Sequence, residues 1–271
     1  MSERTYQRPD RSLMLAEAPR AAGEFAALIS ATPFLYQVRR GDGHPVLVLP
    51  GFGGTDRSTQ VLRQYLASLN YDALPWLQGR NLGPGTPNLT YTLAQRLEEI
   101  HTAADGRSVS LVGWSLGGVY ARLLAHLYPE RVRQVITLGS PFAGHPRSTR
   151  AYRVAQRLNI PVGEQATTRH RRLASEPLGD VPNTAIFSKT DGVVPWQIAS
   201  QQPSANAENI EVYSSHLGLG FNPTVLYAVA DRLSQQEQAW RPFVRDGWKL
   251  LAYGPARLEV NDGEQQIQHP A

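Results

Sequence analysis

The chain has no cysteine, only two lysines and two methionines in 271 residues, and no long uninterrupted apolar run. Without thiols there is no disulfide framework and no thiolate nucleophile. Without roughly 20 consecutive apolar residues there is no transmembrane helix. The scarcity of lysine leaves positive charge to arginine, with Lys+Arg 27 against Asp+Glu 23 and a net charge of +4. The one strong basic block runs from His145 to Arg172, where Arg147, Arg150, Arg153, Arg157, Arg169, Arg171 and Arg172 face Glu164 as the sole acid. Tyr152 is the only aromatic ring of Phe, Tyr or Trp type interleaved there, so the block lacks the stacking surfaces that single-stranded nucleic acid needs. A solvated surface is the reading, and no nucleic-acid partner is expected. Nor do His, Asp and Glu cluster at metal-ligand spacing, so neither metal nor cofactor is expected.

Near the N-terminus, Glu17, Pro19, Arg20 and Glu24 interrupt what would have to be the apolar core of a secretory signal. The expectation is therefore a cytoplasmic protein. Leu13 to Ile29 reads as a helix broken or kinked at Pro19, with Phe25, Leu28 and Ile29 on the face that packs inward. The same face is the one that would reach a lipid interface if the helix lay on a membrane.

Hydrophobic residues make up 41% of the chain, ample for a packed core. Pro45 to Pro50 is a continuous apolar run, the pattern of a strand buried on both faces of a parallel sheet. Further strands are read at Phe34–Arg39, Tyr71–Leu77, Ser108–Val112, Val132–Leu138, Thr184–Ser188 and Ile210–Tyr213. Helical periodicity separates them at Ser58–Leu69, Asn88–Ala104, after Leu116, and at Pro223–Leu233. Alternation of this kind predicts an α/β fold, a mostly parallel sheet covered on both faces. Three parts are expected: an N-terminal arm and helix (1–33), the main domain (34–234), and a C-terminal extension (235–271) packed on it. The extension reads equally as a helix with an aromatic stripe or as short strands joined by turns at Asp246-Gly247 and Asn261-Asp262-Gly263. Residues 144–182 show little strand signal and form an insertion in the main domain.

The chemistry centres on Gly113-Trp-Ser-Leu-Gly117. A short β-rich run enters this turn, and Leu116, Val119, Tyr120, Leu123, Leu124 and Leu127 leave it at helical spacing. Strand, turn and helix around Gly-x-Ser-x-Gly is the context of a nucleophile elbow, which marks Ser115. A serine hydroxyl needs a base within hydrogen-bond reach and an acid to orient that base. In an open parallel sheet the carboxyl ends of the strands border one crevice, so both should follow later strands. Asp191 follows Thr184–Ser188 and His216 follows Ile210–Tyr213. Of the other histidines, His44 precedes its strand and belongs at the opposite end of the sheet. His101 and His126 lie on helices, and His145 and His170 in the insertion. The oxyanion donors are expected at the backbone N–H of Leu116 and of Phe52, the latter in the Gly51-Phe-Gly-Gly54 loop after the first buried strand.

Pro50-Gly-Phe-Gly-Gly, Gly113-Trp-Ser-Leu-Gly-Gly, Thr137-Leu-Gly-Ser-Pro-Phe, Lys189-Thr-Asp-Gly-Val-Val-Pro and Ser215-His-Leu-Gly together resemble the serine α/β-hydrolases. Within them the likeness is to bacterial lipases, esterases and related deacylases, from about residue 34 to 233. The resemblance implies an α/β-hydrolase fold with a small cap at the insertion and a metal-free ester hydrolase acting through an acyl-enzyme. Its substrate would be a small acyl ester with an apolar chain. An acyltransferase or thioesterase would use the same three side chains, and a binding module could keep the fold without the chemistry. Two departures stand out: Pro50-Gly51 where many lipases have His-Gly, and Trp114 where a histidine often precedes the nucleophile. Both leave the backbone donors intact.

Overall fold

A computed structural model describes residues 6–84, 86–157 and 164–256. Six strands form one sheet: β1 (Pro45–Leu49), β2 (Asp72–Pro75), β3 (Val109–Trp114), β4 (Val132–Leu138), β5 (Asn183–Phe187) and β6 (Ala207–Glu211). All pairings are parallel, in the order β2-β1-β3-β4-β5-β6. The α/β expectation holds, with helices on both faces.

Alternation along each strand divides the core. Val46 and Val48 of β1 join Val112, Ile136, Ile186 and Ile210 on one face, under helices α2 (Gln60–Ser68) and α7 (Pro223–Leu233). Leu47 and Leu49 join Leu111 and Val135 on the other, under α3 (Leu89–Ala103) and α4 (Leu116–Leu127). All of these strand residues are at most 2% exposed, which is why β1 reads as an unbroken apolar run. Removing one such Leu or Ile side chain to Ala would cost about 2–5 kcal/mol.

Strand order reverses between β1 and β3, so the loops after those two strands part to opposite sides and leave a crevice at their carboxyl ends. Phe52 follows β1 and Ser115 follows β3, which places both there. Between β4 and β5 lie α5 (Arg150–Arg157) and α6 (Glu164–Ser175), the helices of the insertion.

The N-terminal segment corrects the sequence reading in three ways. Helix α1 runs unbroken from Arg11–Leu35 with Pro19 and Pro33 inside it. Pro19 is exposed and the carbonyl of Leu15, which its missing N–H would have served, sits on a residue 81% exposed, where solvent can reach it. The strand expected at Phe34–Arg39 is absent, because α1 continues to Leu35 and only Leu35 and Val38, three residues apart, are buried there. Ile29 faces outward at 70% exposed, while Phe25, half exposed, packs edge-on against Phe221 and Leu28 packs against the core.

In the extension, a turn at Asp246-Gly247 leads into the short helix α8 (Lys249–Ala252), and Tyr253 bridges to Val212. Trp248 packs edge-on against Tyr227, and Phe243 against Tyr253. The turn expected at 261–263 lies outside the described residues.

Candidate active site

Ser115 occupies the sharp turn between β3 and α4 at φ 53°, ψ −121°, backbone that non-glycine residues adopt only under constraint. The constraint is visible. Ser115 N–H donates to Leu138 O of the neighbouring strand at 2.7 Å, and Gly118 N–H returns to Ser115 O at 3.0 Å. Around it, backbone lies on backbone: a Cβ on Gly117 would stand 2.2 Å from Leu49 O, and one on Gly113 would stand 2.3 Å from the Gly118 Cα. The two flanking glycines are therefore requirements of close approach. Among the described residues the Ser115 hydroxyl has no hydrogen-bond partner, and the residue is 6% exposed.

Asp191 and His216 come from loops after β5 and β6 and meet at 2.6 Å, Oδ2 to Nδ1. Both are at most 5% exposed. The other oxygen of Asp191 accepts from the N–H groups of Val193 (2.8 Å) and Val194 (2.7 Å), which fixes the carboxylate plane. Burial alone would lower the affinity of the imidazole for a proton. The charge and hydrogen bond of Asp191, with Glu17 adding to them, outweigh burial and hold it above the ordinary histidine value. The pair lies beside the elbow. The Trp114 indole N–H donates to His216 O at 3.1 Å, and a Cβ on Gly139, just past β4, would stand 3.1 Å from Asp191 Oδ2 and 3.2 Å from His216 Nδ1. No hydrogen bond joins His216 to the Ser115 hydroxyl in this resting state.

Phe52, Ser115 and Leu116 line a cavity of about 390 Å³. Leu82, Val119 and Leu123 make its wall apolar, and Tyr152 and Ala155 of α5 with His170 of α6 cover it. Neither the Phe52 N–H nor the Leu116 N–H donates to an acceptor among the described residues. Two free amides, one of them on the first residue of α4, can hold a developing negative charge. Gly51, between them, lies so close that its Cβ would be 3.0 Å from that of Ser115.

A hydrogen-bonded run of Ser, His and Asp lies at the amino end of the sheet. His44 Nε2 lies 2.9 Å from Ser110 Oγ, and its Nδ1 2.5 Å from Asp42 Oδ1. Here His44 and Ser110 are both fully buried, so the hydroxyl presents no surface to solvent. Burial, with the charge of Arg133, pushes the imidazole down to about 4 against the pull of Asp42. The run spans β1 and β3 and ties their starts together; its hydroxyl is closed to a substrate. His126 and His101 bind the backbone oxygens of Glu176 and Arg107.

Sequence reasoning missed three residues that touch the Asp191 and His216 loops: Glu17, Arg20 and Glu24, all from α1. They are the only charged residues of that helix after Arg11, and at i, i+3 and i+7 they fall within about 60° of arc. That stripe was the available signal.

A family model described as alpha/beta hydrolase fold matches residues 44–218. Over 102 residues the chain is 33% identical to a pimeloyl-[acyl-carrier protein] methyl ester esterase of Aeromonas hydrophila, a stretch covering 38% of this chain and 40% of the relative. Among solved structures, a metagenome-derived lipolytic enzyme of the LipS and LipT pair superposes with a TM-score of 0.53 at 18% identity, covering 72% of this chain and 93% of that one. The mouse alpha/beta hydrolase domain-containing protein 10 gives 0.52 at 16% identity, with 72% and 90% covered. At such identities the structural likeness is one of fold.

Proposed function

The chain belongs to the alpha/beta hydrolase fold family, and on that premise we propose that it hydrolyses carboxylic esters through an acyl-enzyme on Ser115. His216 is the general base, Asp191 its orienting carboxylate, and the Phe52 and Leu116 N–H groups are the oxyanion donors. The observation that carries this reading is the buried Asp191–His216 pair, at 2.6 Å, set beside a strained serine on the wall of an apolar cavity.

Ser115 Oγ attacks the ester carbonyl carbon as its proton passes to His216 Nε2, while Nδ1–H stays on Asp191. The carbonyl oxygen, now anionic, lies on the two amides. Collapse expels the alcohol, which takes the proton from Nε2. Water then attacks the acyl-serine by the same route, releasing the acid and restoring the hydroxyl. An imidazole held above its ordinary value favours the imidazolium that both tetrahedral steps need. The Ser115–His216 hydrogen bond forms as the substrate enters, a tightening expected of resting sites.

The cavity takes an apolar acyl chain, with helices α5 and α6 of the 144–182 insertion as a small lid over it. The likeness to the Aeromonas methyl ester esterase supports an ester substrate. The arginines of the insertion favour an acidic head group or an anionic interface. The test is turnover of a p-nitrophenyl ester series from acetate to palmitate. Wild-type protein should release nitrophenol with an optimum in chain length, and Ser115→Ala should not. Retention of the rate by Ser115→Ala would refute the proposal. Added acceptor alcohols distinguish an acyltransferase, which would form new esters in preference to free acid.

A further inference from the structure

Helix α1 turns its charges inward over its middle turns. Most surface helices bury an apolar stripe and show their charges to water. Here Leu15 and Ile29 are 81% and 70% exposed, while Glu17 is 4% exposed. Its charged residues are spent on the two loops that carry the proposed acid and base. Glu17 Oε1 accepts from Gly192 N–H at 2.7 Å and from His216 N–H at 3.0 Å, and Oε2 accepts from Leu217 N–H at 2.9 Å. Arg20 donates to Thr190 O at 2.6 Å and to its hydroxyl at 2.7 Å. Glu24 accepts from Ser215 N–H at 2.6 Å and from the Ser214 hydroxyl at 2.9 Å. The loops are shaped to receive the helix: a Cβ on Gly192 would stand 2.6 Å from Leu13 O, and one on Gly218 would collide with the Glu24 carboxylate.

One carboxylate oxygen thus holds the amide next to Asp191 and the amide of His216 itself. Resting on the reading of those two residues as acid and base, we propose that Glu17 is a positioning residue, which fixes the imidazole of His216 relative to Asp191 and steadies its protonated form. The charged groups around the imidazole come from two sides. Asp191 lies on the loop after β5, and Glu17 with Glu24 on α1, where Arg20 is engaged by Thr190. A neutral amide cannot replace Glu17. Three N–H groups converge on its two oxygens, so a glutamine would set an NH2 against at least one of them, leaving a buried donor unpaired. Removing the anion also disfavours the imidazolium, so the imidazole would lose its proton at lower pH.

The experiment is Glu17→Gln in the full chain, with Leu15→Ser on the outer side of the same helix as the control. Two readings are taken: ester hydrolysis against pH, and NMR titration of the His216 imidazole in the resting protein. Glu17→Gln should lower kcat about tenfold or more with KM within about twofold. It should also move both the acidic limb of the rate profile and the imidazole titration to lower pH, by about half a pH unit or more. Leu15→Ser should change neither. A folded Glu17→Gln protein with wild-type kcat and an unmoved titration overturns the proposal, as does a loss confined to KM. If Glu17→Gln does not fold, Glu24→Gln is read instead, with a smaller change in the same direction expected and no change overturning it. The titration needs no turnover, so it judges Glu17 even where a failure of Ser115-dependent hydrolysis has refuted the esterase reading.

Discussion

Asp191→Asn isolates the role of one oxygen. The wild-type carboxylate is held at Oδ1 by two amides, Val193 and Val194, and offers Oδ2 to His216 Nδ1. An asparagine of the same shape must keep its carbonyl oxygen on those two donors, because an NH2 there would face two N–H groups. Its NH2 therefore points at Nδ1. A donor at that place forces the imidazole to accept at Nδ1 and to carry its proton on Nε2, where the lone pair for Ser115 should be. The base is then present, well placed and in the wrong tautomer. The imidazolium also loses its neighbouring charge. In a serine protease the same exchange lowers kcat about 10⁴-fold, equivalent to about 5 kcal/mol of transition-state stabilisation. Here the same loss is expected in kcat at saturating p-nitrophenyl butyrate, with KM little changed because the cavity is untouched. Thermal unfolding should move little, since packing and the two amide contacts remain. A folded Asp191→Asn protein within tenfold of wild-type kcat would refute the reasoning.

Gly117→Ala should cost about 3 kcal/mol or more in denaturant unfolding, because its Cβ meets backbone at 2.2 Å that no rotamer change can clear; a loss under about 1 kcal/mol would mean the elbow yields easily. Val119→Trp, filling the cavity wall, should shift the chain-length optimum to shorter esters while acetate turnover is retained, and an unchanged optimum would place the acyl chain elsewhere. Acid should destabilise the protein through His44. The imidazole is held at about 4 when folded and returns to 6.5 when unfolded, so the unfolded state binds the extra proton between those values. Stability falls as pH drops from 6.5 towards 4, by about 3 kcal/mol. His44→Gln should flatten that slope in melts across the same range.

The middle of the fold was legible because strands buried on both faces leave apolar runs, unbroken in Pro45–Leu49 and carried by Val132, Val135, Ile136 and Leu138 in the fourth strand. Phe34–Arg39 misled because Phe34, Tyr36 and Val38 alternate like a strand. Phe34 and Tyr36 are in fact exposed, and burial at Leu35 and Val38 follows helical spacing. That Ser115, Asp191 and His216 follow the carboxyl ends of β3, β5 and β6 was readable from the alternation of strands and helices. Glu17 was not. A carboxylate that serves backbone amides some 175 to 200 positions away leaves no motif, and on the sequence Glu17, Arg20 and Glu24 register first as interruptions of an apolar stretch. His44, Asp42 and Ser110 teach the converse: three residues joined by hydrogen bonds carry no reaction where the hydroxyl is sealed from substrate.

The central claim is that the Ser115 hydroxyl is the nucleophile. Reaction with a fluorophosphonate, followed by peptide mass mapping, tests it most directly. One adduct on the peptide carrying Ser115 is predicted, formed far more slowly in His216→Ala and absent in Ser115→Ala. An active protein that takes no label, or whose adduct maps to another serine, would contradict it.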